Sequence, residues 1–180
     1  MMLHRNPVIR PRPMLQPPQF HGRPRRAMSD IRVLIASSSP EIRAEITHQI
    51  SACDSICVVG AVGESQEVLD LTARFKPDVL IFHAASCGRP HLELLFQLQE
   101  LHPDLKTLAL ECSPEHVRSY FISLASWGLR GCICEWRDST ELIDAVCTLG
   151  HGDFYLCPMA SHALVDAYRD MIHQVVQEEV

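Results

Sequence analysis

The sequence has no apolar run near the roughly 18 to 20 residues a membrane-spanning helix needs, and no charged-then-apolar leader of the secretory kind. A cytoplasmic location is therefore expected. Nor does it contain a Cys-x-x-Cys pair: its eight cysteines stand at 53, 57, 87, 112, 132, 134, 147 and 157, with Cys132-x-Cys134 and Cys53-x3-Cys57 the nearest spacings. That speaks against a disulfide or zinc framework. Most of these cysteines lie in apolar stretches, where a reduced thiol behaves as a small hydrophobe.

Acid is missing altogether from residues 1–29, whose six Arg give +6; residues 30–180 carry the other ten basic and all 22 acidic residues, hence −12. An acidic globule repels nucleic-acid phosphates, so direct DNA binding is not expected. The first 29 residues also hold six of the twelve prolines (7, 11, 13, 17, 18 and 24) and few apolar residues at any period. This is the composition of a disordered tail, with an Arg-rich RNA-binding or targeting segment as the alternative. Met28 is an alternative start.

What is present is ordinary globular composition, 47% hydrophobic and 21% charged, in a length that suits one domain with a core. From Asp30 onward five short apolar runs recur about every 25 residues: IRVLIA (31–36), ICVVGAV (56–62), DVLIF (78–82), TLALE (107–111) and GCICE (131–135). Helical patterns with start signals lie between them. Ser39-Pro40-Glu41 precedes Ile42, Ile46 and Ile50; Ser113-Pro114-Glu115 precedes Val117, Phe121 and Leu124; Asp138, with Glu141 three residues on, precedes Leu142 and Val146. Strand alternating with helix predicts an α/β fold, a doubly wound five-stranded parallel sheet covered by helices on both faces. In such a sheet function sits at the carboxyl ends of the strands, where His83, Ser37, Ser38, Glu111 and Glu135 are placed.

The segments IRVLIASSSPEIR, VVGAVGESQEVLDL, KPDVLIFHAASCG, HPDLKTLAL, WGLRGCICE and STELIDAV resemble, in order and spacing, the receiver domain of NarL/FixJ-type two-component response regulators. The resemblance covers about residues 31–157 and implies the flavodoxin-like receiver fold over 30–157, with an extra C-terminal helix over 158–180. It also implies a phosphorylation site: two acids after the first strand to hold Mg²⁺, an Asp acceptor ending the third, a Thr or Ser ending the fourth and a Lys ending the fifth. Carboxylates are the hard ligands Mg²⁺ prefers, and metal and Lys together offset the charge of the phosphoryl oxygens. Here the acidic pair is Ser37 and Ser38, the acceptor position His83, the Thr position Glu111 and the Lys position Glu135. The aromatic that relays the switch falls at Cys132. The expectation is a pseudo-receiver, not an enzyme, with no cofactor and no metal.

Three readings of His83 follow. It makes a structural hydrogen bond that ties the strand ends together; or it forms a pH-responsive pair facing Glu111 and Glu135; or, with Cys87 or Cys112, these side chains serve a metal or redox sensor. A diverged DNA-binding regulator without its helix-turn-helix domain is a further alternative.

After Cys157 the sequence reads as one amphipathic helix, with Ala160, Ala163, Leu164, Ala167, Tyr168, Met171, Ile172, Val175 and Val176 on one face. That face either packs on the domain or pairs with a second copy or another protein. Candidate interface residues are Trp127, Trp136, Leu164, Tyr168, Met171, Ile172 and Val175, and the expected partners are proteins, a homodimer included.

Overall fold

The computed structural model describes residues 30–63, 65–84, 89–118 and 128–178, with only the backbone described for 89–92 and 174–178. The tail over 1–29, Cys87, Trp127, Phe121, Leu124 and the side chains of Val175 and Val176 lie outside the described residues.

The chain alternates as expected: β1 (Ile31–Ala36), α1 (Pro40–Ile50), β2 (Ile56–Val62), α2 (Ser65–Phe75), β3 (Val79–His83), α3 (Arg89–Leu101), β4 (Lys106–Leu110), β5 (Leu129–Ile133), α4 (Ser139–Gly150), β6 (Tyr155–Leu156) and α5 (Pro158–Glu178). A further helical segment starts at 114 and is described through 118. The strands form one sheet in the order β2-β1-β3-β4-β5-β6, every neighbouring pair parallel. The sheet thus has six strands rather than five. Residues 155–156, a two-residue strand pairing with Gly131 and Cys132, are too short to produce a periodic signal.

Each start signal acts as its chemistry requires. The Ser39 hydroxyl accepts from the Ile42 N–H at 3.2 Å with Pro40 just inside α1, and the Asp138 carboxylate accepts from the Glu141 N–H at 3.0 Å at the head of α4. Ser113 accepts from the His116 N–H at 3.2 Å where the helical segment begins at 114.

Alternation along the strands separates two cores. Val33, Ile35, Val79, Ile81, Leu108, Leu110 and Ile133 point to the face covered by α1 and α4, against Ile46, Ile50, Leu142 and Val146. Leu34, Ala36, Leu80, Phe82, Ala109 and Cys132 point the other way, against Val68, Leu94, Leu98, Ala160 and Ala163 from α2, α3 and α5. With both faces covered, β1, β3 and β4 each carry an apolar run, at 33–36, 79–82 and 108–110. Gly131 is where β5 is approached most closely, since a Cβ there would stand 2.7 Å from the Leu108 Cδ1 and 3.0 Å from the Leu149 Cδ1.

The far end of the sheet is fastened by Asp78 and Arg32. The Asp78 carboxylate accepts from the Arg32 N–H at 2.9 Å, while the Arg32 guanidinium donates to the Phe75 carbonyl at 2.6 and 3.1 Å. This fixes β3 against β1 and so fixes where β3 ends, at His83.

Candidate functional site

His83, the last residue of β3, has a side chain only 10% exposed, and it joins the exits of three strands. Its Nε2 lies 2.7 Å from the Glu111 Oε2, just past β4, and its Nδ1 lies 3.4 Å from the Ser37 Oγ, just past β1. A carboxylate only accepts when ionised, so Nε2–H donates to Glu111, and in the neutral imidazole Nδ1 is then free to accept from the Ser37 hydroxyl. Ser37 accepts in turn from the Ser39 N–H at 3.2 Å. The result is a directed series from the head of α1 through Ser37 and His83 to Glu111.

The backbone is bent to make this possible. Glu111 has φ +55°, in the left-handed region that a side-chain-bearing residue enters at a cost of about 1 kcal/mol. Ser37 is buried and held twice more, its N–H donating to the Val62 carbonyl at 3.0 Å and its carbonyl accepting from the Arg43 guanidinium at 2.6 Å. Arg43 is a site residue that the sequence reading missed. Its signal was there: it follows the helix cap Ser39 by four residues, one turn into α1, which returns its side chain toward the exit of β1.

The other expected site residues separate from this group. Ser38 is exposed beside it. Glu135 does not face His83: it is exposed and ion-paired with Arg137 two residues on, because β5 ends at Ile133 and the chain has already turned outward. His83 therefore has one carboxylate partner where two were expected. Cys112 is buried near Cys132 rather than open to the site, and the Cys112 thiol, together with burial, pushes the Cys132 thiol up. Trp136 is partly buried, packs on the α1/α4 core and donates from Nε1 to the Gln49 Oε1 at 3.1 Å, so its indole has a partner within the fold.

Chemically, these residues do not fit Mg²⁺. The donors at the β1 exit are hydroxyls, one of them already engaged by His83; Glu111 is committed to the imidazole, and Arg43 brings a cation to the same loop. Among the described residues no group of three or more His, Cys, Asp or Glu is placed to hold a metal. The cleft bounded by Ser37, Ser38, Gly63, Ser65 and His83 has a volume of about 20 Å³, room for about one water. A carboxylate, imidazole and hydroxyl in series would suit acyl transfer, yet Ser37 is buried, only 5% exposed.

α5 divides its apolar face. Ala160 and Ala163 are buried and Leu164 packs on the core, while Tyr168, Met171 and Ile172 are 59%, 43% and 45% exposed. Arg118, in the helical segment after β4, pairs with Asp170 and holds the middle of α5.

The isolated receiver domain of RcsB from Salmonella enterica serovar Typhimurium, solved with a phosphomimetic beryllofluoride, superposes with TM-score 0.64 and 20% identity over 76% of this chain and 99% of that one. A LuxR-family response regulator from an Aurantimonas species superposes with TM-score 0.67 and 16% identity, over 77% and 97%. The fold is that of a response-regulator receiver domain. Among curated proteins, the response regulator GacA of Pseudomonas viridiflava is 27% identical over 134 residues, 74% of this chain and 62% of its own. The regulator DegU of Brevibacillus brevis is 23% identical over 148 residues, 82% and 62%. The chain thus spans under two thirds of the length of these relatives, and its match to them is a match of receiver domains. No protein-family model matches. RcsB is also known as dimers bound to DNA.

Proposed function

We propose that this chain is an atypical response regulator, a pseudo-receiver that works by phosphorylation-independent protein–protein contact in signal transduction or transcriptional regulation. The observation that carries the reading is the Ser37–His83–Glu111 series. It occupies the strand exits where a receiver fold would need carboxylates for a cation and an aspartate for a phosphoryl group, and it ties those exits together with hydrogen bonds. Arg43 supports it further, since a guanidinium disfavours a divalent ion nearby.

The partner is a protein, and a second copy of the chain is the simplest one. The exposed Tyr168, Met171 and Ile172 of α5 supply the apolar contact, and 12 excess negative charges over residues 30–180 argue against DNA as the direct ligand (10 basic − 22 acidic). The metal-sensor alternative loses a donor because Glu135 is turned to Arg137, and the pH-responsive alternative keeps one of its two carboxylates.

Thermal melting with Mg²⁺ and beryllofluoride tests the reading. The expected result is an unchanged Tm. A ligand held at a hundredfold excess over its Kd would stabilise by about 2.7 kcal/mol, or roughly 5 to 10 °C, and a shift of that kind would overturn it.

A further inference from the structure

A groove of about 290 Å³ runs between the helical segment that starts at 114 and the first half of α5. Pro114, Met159 and Ala163 give it apolar walls, and Glu115 and Asp166 put a carboxylate on each bank. Arg118, at its edge, is paired with Asp170, whereas Glu115 has no ion-pair partner among the described residues and Asp166 meets Arg169 at 3.5 Å in solvent. Apolar surface between two acids is what an arginine–proline segment matches. Proline rings pack on the walls, each guanidinium meets a carboxylate, and the polyproline II backbone is extended before it binds, so little entropy is lost.

Such a segment belongs to this chain. Residues 1–29 carry six Arg and no acid, and they place arginine beside proline twice, in Arg10-Pro11-Arg12-Pro13 and in Arg23-Pro24-Arg25-Arg26. Reach separates the two. The chain enters the sheet at Ile31, the amino end of β1, whereas the groove begins at Pro114, past the carboxyl end of β4. A strand length of about 20 Å and the spacings from β1 through β3 and β4 to β5, about 14 Å in all, put the two points about 25 Å apart. The 4 residues from Arg26 to Asp30 extend about 14 Å and fall short (30 − 26). The 17 from Pro13 to Asp30 cover about 20 to 25 Å as a coil and more when extended (30 − 13).

We propose that this groove is a docking site for an arginine–proline peptide, filled by Arg10–Pro13 of the same chain. With three residues per turn of polyproline II, Arg10 and Arg12 project to different sides of the segment, one toward Glu115 and the other toward Asp166. Tethering makes a weak contact sufficient: a linked segment has an effective concentration of about millimolar, so a pairing too weak to hold a free peptide is populated within one chain. The apolar face of α5 is left open, because Asp166 and Tyr168 stand about 200° apart around the helix and the docked segment takes the flank opposite Tyr168. The inference is therefore independent of how α5 pairs with a partner.

Nitrogen–proton correlation NMR of the full chain tests it. Arg10→Ser with Arg12→Ser is expected to move the backbone resonances of Glu115, His162 and Asp166, and Arg25→Ser with Arg26→Ser to leave them in place. Conversely, Glu115→Gln with Asp166→Asn is expected to return Arg10 and Arg12 to free-coil resonances, as is about 1 M salt, where charges are screened beyond about 3 Å. Glu115 and Asp166 are exposed, so the remaining resonances report an intact fold, and the two arginine pairs decide the matter if the groove variant unfolds. Groove resonances indifferent to Arg10 and Arg12 overturn the proposal. An equal response to both arginine pairs reduces the match to bulk charge and overturns it too. Shifts that grow with protein concentration place a neighbour's segment in the groove and overturn docking within one chain.

Discussion

The imidazole Nε2 of His83 stands 2.7 Å from the carboxylate of Glu111, linking the last residue of β3 to the first residue past β4. The pair spans strands that are direct neighbours in the sheet, with His83 in register with Leu110. Each partner has its position set by something else: His83 by the end of a buried strand and by Ser37, Glu111 by a left-handed backbone. Such a pair is held in place before it forms, and it loses little side-chain entropy in forming.

Glu111 therefore contributes two opposed terms, a hydrogen bond gained and a backbone strain accepted. Glu111→Ala removes the first and keeps the second, whereas Glu111→Gly removes both. Chemical denaturation is expected to show Glu111→Ala destabilised by about 1 to 2 kcal/mol and Glu111→Gly by about 1 kcal/mol less. Equal losses would mean that the left-handed backbone at 111 carries no strain.

Gly131 lies where β5 passes under Leu108 and Leu149. A methyl there meets side chains on both the neighbouring strand and α4, so Gly131→Ala is expected to cost about 1 to 3 kcal/mol by the same measurement. A neutral result would show that the two leucines can move aside.

The phenol of Tyr155 donates to the Glu141 Oε1 at 3.3 Å, and burial, then the Glu141 charge, push its pKa up to about 12. An unfolded tyrosine ionises near 10, so the stability linked to the protonated phenol is present below about pH 10 and lost as pH rises toward about 12. Tm is expected to fall more steeply over that window in the wild type than in Tyr155→Phe. Parallel curves would remove Tyr155 as the source.

Much of the fold was legible because burial on both faces of a parallel sheet writes itself as apolar runs, and because Ser39, Asp138 and Ser113 are caps whose side chains can do little else. The β1 and β2 runs matched to the residue; β5 came two residues earlier than GCICE suggested, because Leu129 pairs before Gly131. That offset is why Glu135 fell outside the site: two residues beyond a strand end, direction is set by the loop and not by the pleat. β6 was invisible, since two residues carry no period. His83 was expected to face both Glu111 and Glu135 from their shared end of the sheet, and of the two it meets Glu111. Arg43 was not foreseen, because its role depends on how α1 leaves β1.

The C-terminal helix shows the same limit. Its stripe was expected either to pack on the domain or to pair with a second copy or another protein, and the face divides: Ala160 and Ala163 are buried while Tyr168, Met171 and Ile172 are exposed. Deleting the helix after Pro158 would strip the core of Ala160 and Ala163, so substitution is the sounder probe of assembly. Light scattering of the full chain is expected to give a dimer mass that falls to the monomer when Tyr168, Met171 and Ile172 are all changed to Ser, with the circular dichroism unchanged. A mass indifferent to the three changes would put the interface elsewhere.

On the proposed reading, the strand exits accept no phosphoryl group. Intact-mass spectrometry of the full chain after incubation with acetyl phosphate and Mg²⁺, read at neutral pH so that a phosphohistidine would survive, tests it directly. The expected result is a chain of unchanged mass beside a response regulator that is phosphorylated in the same tube. A stoichiometric phosphoryl adduct that disappears in His83→Ala would contradict it.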